Sequence, residues 1–190
     1  MAELKGGTKL LKELRLVSEK LNKAATVGVG FYAKSTYPDG TPVGYIASIQ
    51  EFGATIEHPG GTKYITDAVI GKGANARIVT RFVKNDFQGE TKTTGAHTIT
   101  IPSRPFFRTM IAEKSPAWGN ALGGLLKDDG LDAKKALSQM GDAIIGQLQD
   151  SILATNDPPN SPATIRAKKG RAKPLIDTGH MWNSVTKEVI

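Results

Sequence analysis

The sequence contains no cysteine. This absence excludes disulfide frameworks, thiolate zinc sites, iron–sulfur clusters and cysteine nucleophiles, while the redox compartment stays open. No stretch approaches the roughly 18 uninterrupted apolar residues of a membrane span. The first 12 residues also lack the apolar core of a signal peptide. We therefore expect no membrane segment and no export by the usual route.

Aromatic residues are scarce, at 6% of the 190 residues, and 18 acidic residues are outnumbered by 25 Lys and Arg. The resulting net charge of +7 favours contact with acidic surfaces without naming one. Because aromatics are few and only five of the 25 bases cluster in one segment, binding to duplex nucleic acid should be weak and independent of base sequence. The rest of the composition, 39% hydrophobic and 23% charged, excludes a coiled coil and a fully disordered chain.

The C-terminal third divides into an acidic and a basic part. Residues 127–157 carry six acidic and three basic side chains, whereas residues 158–176 carry five bases and no acid. The five bases are Arg166, Lys168, Lys169, Arg171 and Lys173. They indicate either a solvated loop or a contact with phosphate or with a partner's acidic rim, and both interpretations stay open.

Hydrophobic periodicity predicts a helical N-terminus. Apolar residues recur at steps of three and four from Leu4 to Ala25, which is typical of an amphipathic helix that packs by one stripe. Residues 26–33 alternate with a period of two and predict a strand, which a turn follows. Residues 45–52 return to helical spacing, and Gly53 lies where a left-handed C-cap is needed.

Residues 54–101 change character. Closely spaced glycines separate short β-like runs at 63–66, 77–84 and 97–101, which together predict a β-rich excursion. Pro102 and Pro105 mark the return from it.

The C-terminal half is predicted to be mainly helical. Two short helices are expected first, at 106–111 and from Pro116 onward. The longest helix begins at the cap residue Asp132 and carries its apolar stripe to Ile152. A brief helix at 161–168, a last short helix and a strand near 184–190 follow.

These elements predict a single α+β domain over residues 1–190. A twisted antiparallel sheet would pack against the N-terminal helix and the long helix of the C-terminal half, with the β-rich excursion at 55–100.

Sequence patterns for catalysis and metal binding are incomplete. Residues 28–35 resemble a phosphate-binding loop, but a turn stands where such a loop needs a helix N-terminus. The three histidines, His58, His97 and His180, have no metal-site spacing. There is no G-x-S-x-G elbow, and the adjacent Asp128 and Asp129 should be solvated. We predict no catalytic residue, metal or cofactor, and a hydrolase is the weakest of the alternatives.

Two short segments are predicted to shape the fold. Glu51-Phe52-Gly53 should end a helix by burying Phe52 and turning at Gly53. In the second segment, Pro102 and Pro105 should stiffen the chain before Phe106.

Arg104 lies between these two prolines and can reach a carboxylate or a carbonyl with two hydrogen bonds. Asp177 is expected to cap the turn at Thr178 and Gly179. Arg104 and the five bases are the candidate partner contacts.

Five landmarks follow one another along the chain. They are I-A-S-I-Q-E-F-G at 46–53, I-P-S-R-P-F-F at 101–107, the long helix from Asp132, S-P-A-T-I-R-A-K-K-G at 161–170, and K-P-L-I-D-T-G at 173–179 followed by Met181, Ser184 and Val185. In this order they resemble the phage virion-morphogenesis proteins, the neck and tail-completion family. The resemblance covers residues 45–188, with two departures at 158–161 and at Trp182.

The resemblance implies a structural protein of a tailed phage rather than an enzyme. It would form a ring of identical subunits, about six or twelve, at the head–tail neck or the top of the tail. Its partners would be other neck, connector, tail-terminator or tube proteins, with non-specific contact to DNA in the lumen. It would be made in the host cytoplasm and located in the virion. The alternative is a basic, sequence-nonspecific nucleic-acid-binding protein.

Overall fold

The computed structural model describes residues 7–21 and 26–190. The chain divides into two compact units: the described residues up to Gly53 together with Pro102–Ile190 form the first, and Ala54–Ile101 forms the second. The bounds of the second unit lie within one residue of the expected β-rich excursion. Helices and antiparallel sheets are both present, so the predicted α+β class is confirmed.

The described helices, in chain order, are α1 Gly7–Leu21, α2 Val43–Phe52, α3 Phe106–Asp128, α4 Ala133–Ala154, α5 Pro162–Ala167 and α6 His180–Asn183. The strands are β1 Val27–Gly30, β2 Ala54–His58, β3 Lys63–Ile70, β4 Arg77–Phe82, β5 Lys92–Thr93, β6 His97–Ile101 and β7 Thr186–Val189. None of these helices has the length and apolar character needed to cross a bilayer.

Helix α4 forms the spine of the core in the first unit. Its buried side chains recur every four residues along one face, at Ala136, Met140, Ile144, Leu148 and Ile152. This regular stripe is what the sequence predicts, because such spacing places every apolar side chain on one side of the helix. The Asp132 side chain caps the helix by accepting a hydrogen bond from the Lys135 amide at 3.0 Å, also as predicted.

The sheet that α4 covers consists of β1 and β7. These strands pair antiparallel, with Val27 opposite Val189 and Gly30 opposite Thr186. The pairing joins a strand near the start of the chain to the last strand, more than 150 residues later. Gly141 of α4 lies directly against this sheet: a Cβ there would meet Lys187 Cδ and Val27 Cγ2, each at 2.8 Å.

The N-terminal helix differs from the expectation. Leu11 and Leu14 of α1 are 60% and 54% exposed, and no described side chain of α1 belongs to the core. A helix about 10 Å across is enough to cover a two-stranded sheet face, and α4 already occupies that position. Among the α1 side chains that the structure describes, those of residues 11–19, none lies in the core, so the predicted packing of this helix on the sheet is not seen there. Leu4, Leu21 and Ala25 of the predicted stripe lie outside the described side chains.

The helix after Pro105 also differs from the sequence prediction. Two short helices were expected around Pro116, but α3 runs unbroken through this proline. Residues 112 and 116 lie on an exposed part of α3, where water can satisfy the carbonyl that proline leaves unpaired. Packing against α4 holds the helix together, and the Trp118 indole donates a hydrogen bond to Gln147 Oε1 at 2.9 Å.

The second unit contains two antiparallel sheets. In one, β2 pairs with β6, and in the other β3 lies between β4 and β5. The sequence pattern missed β2, because its five residues are flanked by a helix end and by turn-forming prolines and glycines. No residue of Ala54–Ile101 is fully buried. Large side chains such as Val69 and Ile78, which pair across β3 and β4, lie exposed.

Gly141→Ala tests the close approach of α4 to the sheet. The added methyl group would overlap Val27 and Lys187, so we expect the free energy of unfolding to fall by about 1–2 kcal/mol. Urea denaturation measures this loss. The matched control is Gly146→Ala in the same helix, where nothing lies within 4 Å of the new Cβ. There we expect a gain of about 0.5–1 kcal/mol, and equal effects at both positions would contradict the packing described.

Candidate assembly surfaces

A buried carboxylate joins α2 to α3. Glu51, in the last turn of α2, is only 5% exposed. Its carboxylate accepts hydrogen bonds from the backbone amides of Phe107 at 2.8 Å and Arg108 at 3.1 Å, and from Arg108 Nε at 2.8 Å. The first amides of a helix have no partner within the helix and carry partial positive charge. Glu51 therefore caps α3 from outside the helix.

Arg104 is the second buried charge of this junction. It is 5% exposed, and burial lowers the pKa of its guanidinium. The guanidinium donates to the Pro158 carbonyl and to Gln50 Oε1, both at 2.8 Å, and more weakly to the Pro159 carbonyl. Of the two targets expected for Arg104, carbonyl groups are the ones it binds, and they are internal. Its proposed role as a partner contact is corrected to a brace within the fold.

The prediction that Phe52 is buried is wrong, because Glu51 takes the inward position instead. Phe52 is 66% exposed, and the Arg108 guanidinium stacks on its ring at 4.9 Å. The inward face of α2 is set by Val43, Ala47 and Glu51 at four-residue steps, which turns Phe52 outward. Gly53 has the positive φ expected of a glycine C-cap, 77°, but its ψ of 168° lies outside the left-handed helical region, so the predicted left-handed cap is not formed.

An apolar groove lies beside this junction. It has a volume of about 310 Å³ and an apolar floor formed by Phe31, Ala47, Phe106 and Phe107, with Ser48, Phe52 and Arg108 at its sides. Nothing in the sequence pattern indicated it, because its aromatic side chains come from three separate segments. We call this feature the apolar groove.

The basic segment, residues 166–173, is folded against its surroundings. The Lys168 ammonium donates to the carbonyls of Lys173 and Pro174, and Lys173 donates to the Leu153 carbonyl. Burial lowers the pKa of Lys168; Asp177 opposes this shift, and Arg171 and Arg104 add to it.

Asp177 does not cap the turn as expected. It forms an ion pair of 2.9 Å with Arg171, while Gly179 occupies the cap position of α6 with a φ of 80°. The Thr178 hydroxyl lies 3.4 Å from the His180 amide. Of the five bases, Arg166 and Lys169 are the two whose side chains form no hydrogen bond or ion pair within residues 7–21 and 26–190.

Some of the acidic side chains also have internal partners. Asp129 was expected to be solvated, but its side chain is only 7% exposed and pairs with Lys135 at 2.6 Å. Asp142 pairs with Lys187. A polar groove of about 380 Å³ between α3 and α4 is lined by Glu113, Asp150 and Asp157. These three carboxylates form no ion pair with any described residue.

The resemblance to a phosphate-binding loop has no matching geometry. Gly28 and Gly30 lie on β1, and the chain then makes a turn at 32–35 instead of opening into a helix. The Tyr32 hydroxyl donates to the Gly28 carbonyl at 2.9 Å. A nucleotide would thus meet a paired strand and not the free amides of a helix N-terminus.

His58 and His97 lie at strand ends, and His180 begins α6. The rings of His58 and His97 stack at 4.9 Å across β2 and β6, and the ring of His180 lies tilted against Tyr37 at 4.8 Å. Within the part of the chain that the structure describes, no group of three or more His, Asp or Glu side chains could hold a metal ion.

No protein-family model, curated protein or solved structure matches this chain. The interpretation of function accordingly depends on the geometry of the chain itself.

The motif blocks of the sequence converge in the first unit. Arg104 of the second block hydrogen-bonds Gln50 of the first, through its amide at 2.7 Å and through its side chain. A pocket of about 170 Å³ then brings Gln50 together with Lys168 of the fourth block and with Asp177 and Met181 of the fifth. Residues separated by more than a hundred positions in the sequence thus share one site.

Glu51→Gln tests the cap on α3. Losing the charge weakens the bonds to two amides and to Arg108, and it points an amide group at other donors. We expect the free energy of unfolding to fall by about 2–3 kcal/mol, measured by urea denaturation. The control is Glu113→Gln, an exposed carboxylate on α3, for which we expect a change within about 0.5 kcal/mol. Similar small effects from both variants would show that the cap contributes little.

Proposed function

We propose that this chain is a structural protein of a tailed phage, a subunit of a ring at the head–tail neck or the top of the tail that completes the tail and joins it to the capsid. The observation that carries the proposal is the convergence of four motif blocks, at Gln50, Arg104, Lys168 and Asp177. The four blocks are far apart in the sequence, and each supplies a residue to this one junction.

The surfaces of the first unit support a role in assembly. A subunit in a closed ring needs two different patches that complement each other, one for each neighbour. The first unit presents the apolar groove, the polar groove between α3 and α4 with its three carboxylates, and Arg166 and Lys169 of the basic segment. These surfaces differ in chemistry, so they suit contacts with more than one neighbour.

The proposed partners are further copies of the chain and other neck, connector, tail-terminator or tube proteins. The ring would contain about six or twelve copies. Arg166 and Lys169 would face either DNA in the lumen or an acidic rim of the next ring. The protein would act through these contacts, without turnover, after synthesis in the host cytoplasm and incorporation into the virion.

Electron microscopy of a phage that lacks this protein tests the proposal. We expect complete heads and complete tails that are not joined, and recovery of joined particles when the wild-type protein is supplied. Normal joined particles in its absence would refute the proposed role, as would a block before heads or tails are formed.

A charge-reversed variant, Arg166→Glu with Lys169→Glu, tests which surface the basic segment contacts. If it meets an acidic rim, like charges will face each other, and we expect the joined fraction to fall about tenfold. Joined particles that lose their DNA would instead place the segment in the lumen. The control is Lys34→Glu, another exposed lysine, and wild-type behaviour of both variants would identify the segment as a solvated surface.

The second candidate, a nucleic-acid-binding protein, is favoured by the two exposed bases that lack an internal partner. Two phosphate contacts predict an affinity for duplex DNA that falls about tenfold between roughly 50 and 200 mM salt. Fluorescence anisotropy with two unrelated duplexes measures this. Tight, sequence-selective binding that survives the higher salt would favour the alternative over a neck protein.

A further inference from the structure

We infer that the apolar groove receives helix α1 of a second copy of the chain. The contact is heterologous: each subunit offers its groove to one neighbour and its α1 to the other. The inference deepens the proposed function and rests on it for its biological setting, because a ring needs such a contact.

The groove offers a surface that is costly to leave in water. Its apolar floor carries aromatic rings from two segments, and Phe52 at its rim, from a third, is 66% exposed. Tyr45, seven residues before Phe52 on the outer face of α2, is exposed as well. An amphipathic helix recognises such a groove through apolar side chains at steps of three and four residues.

Helix α1 has the matching surface. Leu11, Leu14 and Val17 follow one another at steps of three, and both leucines are more than half exposed although the helix is formed. Isolated helices of this length are marginal in water. The apolar stripe of α1 therefore has a reason to be covered, and α4 already occupies the sheet that could have covered it.

Charge at the two surfaces is complementary. Arg108, at the rim of the groove, uses Nε and Nη2 to bind Glu51, whereas its Nη1 forms no hydrogen bond to any described residue. On α1, Glu13 and Arg15 flank the apolar stripe on opposite sides by helical spacing, so a docked α1 is favoured in the orientation that turns Glu13 toward Arg108. A docked α1 would bring this carboxylate toward the exposed side of the guanidinium.

The occupant of the groove is α1 of a second copy, because every copy of the chain carries both the groove and the helix. Both surfaces belong to every subunit, and no residue of α1 lines the groove within the part of the chain that the structure describes. Two different patches that fit each other produce a head-to-tail contact, which closes into a ring or extends as a filament.

The absence of native cysteine makes disulfide trapping a direct test. Leu14→Cys on α1 and Ser48→Cys beside the groove are combined in one chain, and the purified full-length protein is oxidised at high concentration. We expect disulfide-linked dimers and higher oligomers on a non-reducing gel. The matched control combines Ser48→Cys with Leu16→Cys, an exposed leucine of α1 that helical spacing places off the stripe, and we expect about a tenth of the cross-linking.

Two results would overturn the inference. A cross-linked species that stays monomeric would mean that α1 closes on the groove of its own chain. Cross-linking no greater than that of the control would mean that α1 does not reach the groove.

A mixing experiment gives an independent answer. Leu14→Glu should disable the helix and Phe52→Asp the groove, and both chains should stay folded because both side chains are mostly exposed. Circular dichroism checks this. Sedimentation velocity should show monomers for each variant alone and a one-to-one dimer in the mixture, joined by the one intact interface. The absence of a mixed dimer would refute a heterologous contact.

These measurements use purified protein and do not depend on its role in the virion. If the protein forms trapped oligomers but phage particles join without it, the proposed function is refuted and the α1–groove contact stands. If particles stay unjoined without the protein but the chain does not cross-link, the proposed function stands and the contact is refuted.

Discussion

The carboxylate of Glu51 is the interaction on which the junction of the first unit depends. A buried charge is stable only when hydrogen bonds replace the water it has lost. Glu51 finds these bonds at the first amides of α3 and at Arg108. The end of α2 is thereby held at the start of α3, and the backbone carbonyl of Glu51 is held in turn by the Ser103 hydroxyl at 2.7 Å.

Further features follow from this constraint. With Glu51 turned inward, Phe52 must turn outward, where Arg108 stacks on its ring. Phe106 and Phe107 then lie beside α2 and line the apolar groove. The groove is thus a consequence of how one charge is satisfied. The same junction recruits Arg104, which reaches across to the carbonyls of the segment after α4.

The charged surfaces show why counts of acids and bases overstate what a partner can meet. Lys168 and Lys173 bind backbone carbonyls, and Arg171 pairs with Asp177. Ammonium groups engaged in this way stabilise the loop that contains them. Only the remaining side chains, Arg166 and Lys169, keep their hydrogen-bonding capacity for another molecule among the five bases.

The sequence by itself determined the features that depend on local spacing. The stripe of α4, its cap at Asp132, the positive φ at Gly53 and the extent of the β-rich excursion follow from periodicity and from turn chemistry. Each is decided by residues within a few positions of one another.

Only the tertiary structure decided the rest. Whether Phe52 or Glu51 is buried depends on which face of α2 meets α3, and the fate of Pro116 depends on packing against α4. The role of Arg104 depends on carbonyls more than fifty residues away. These outcomes are set by contacts between distant segments, because a buried charge or an unpaired carbonyl is satisfied by whatever the fold brings to it.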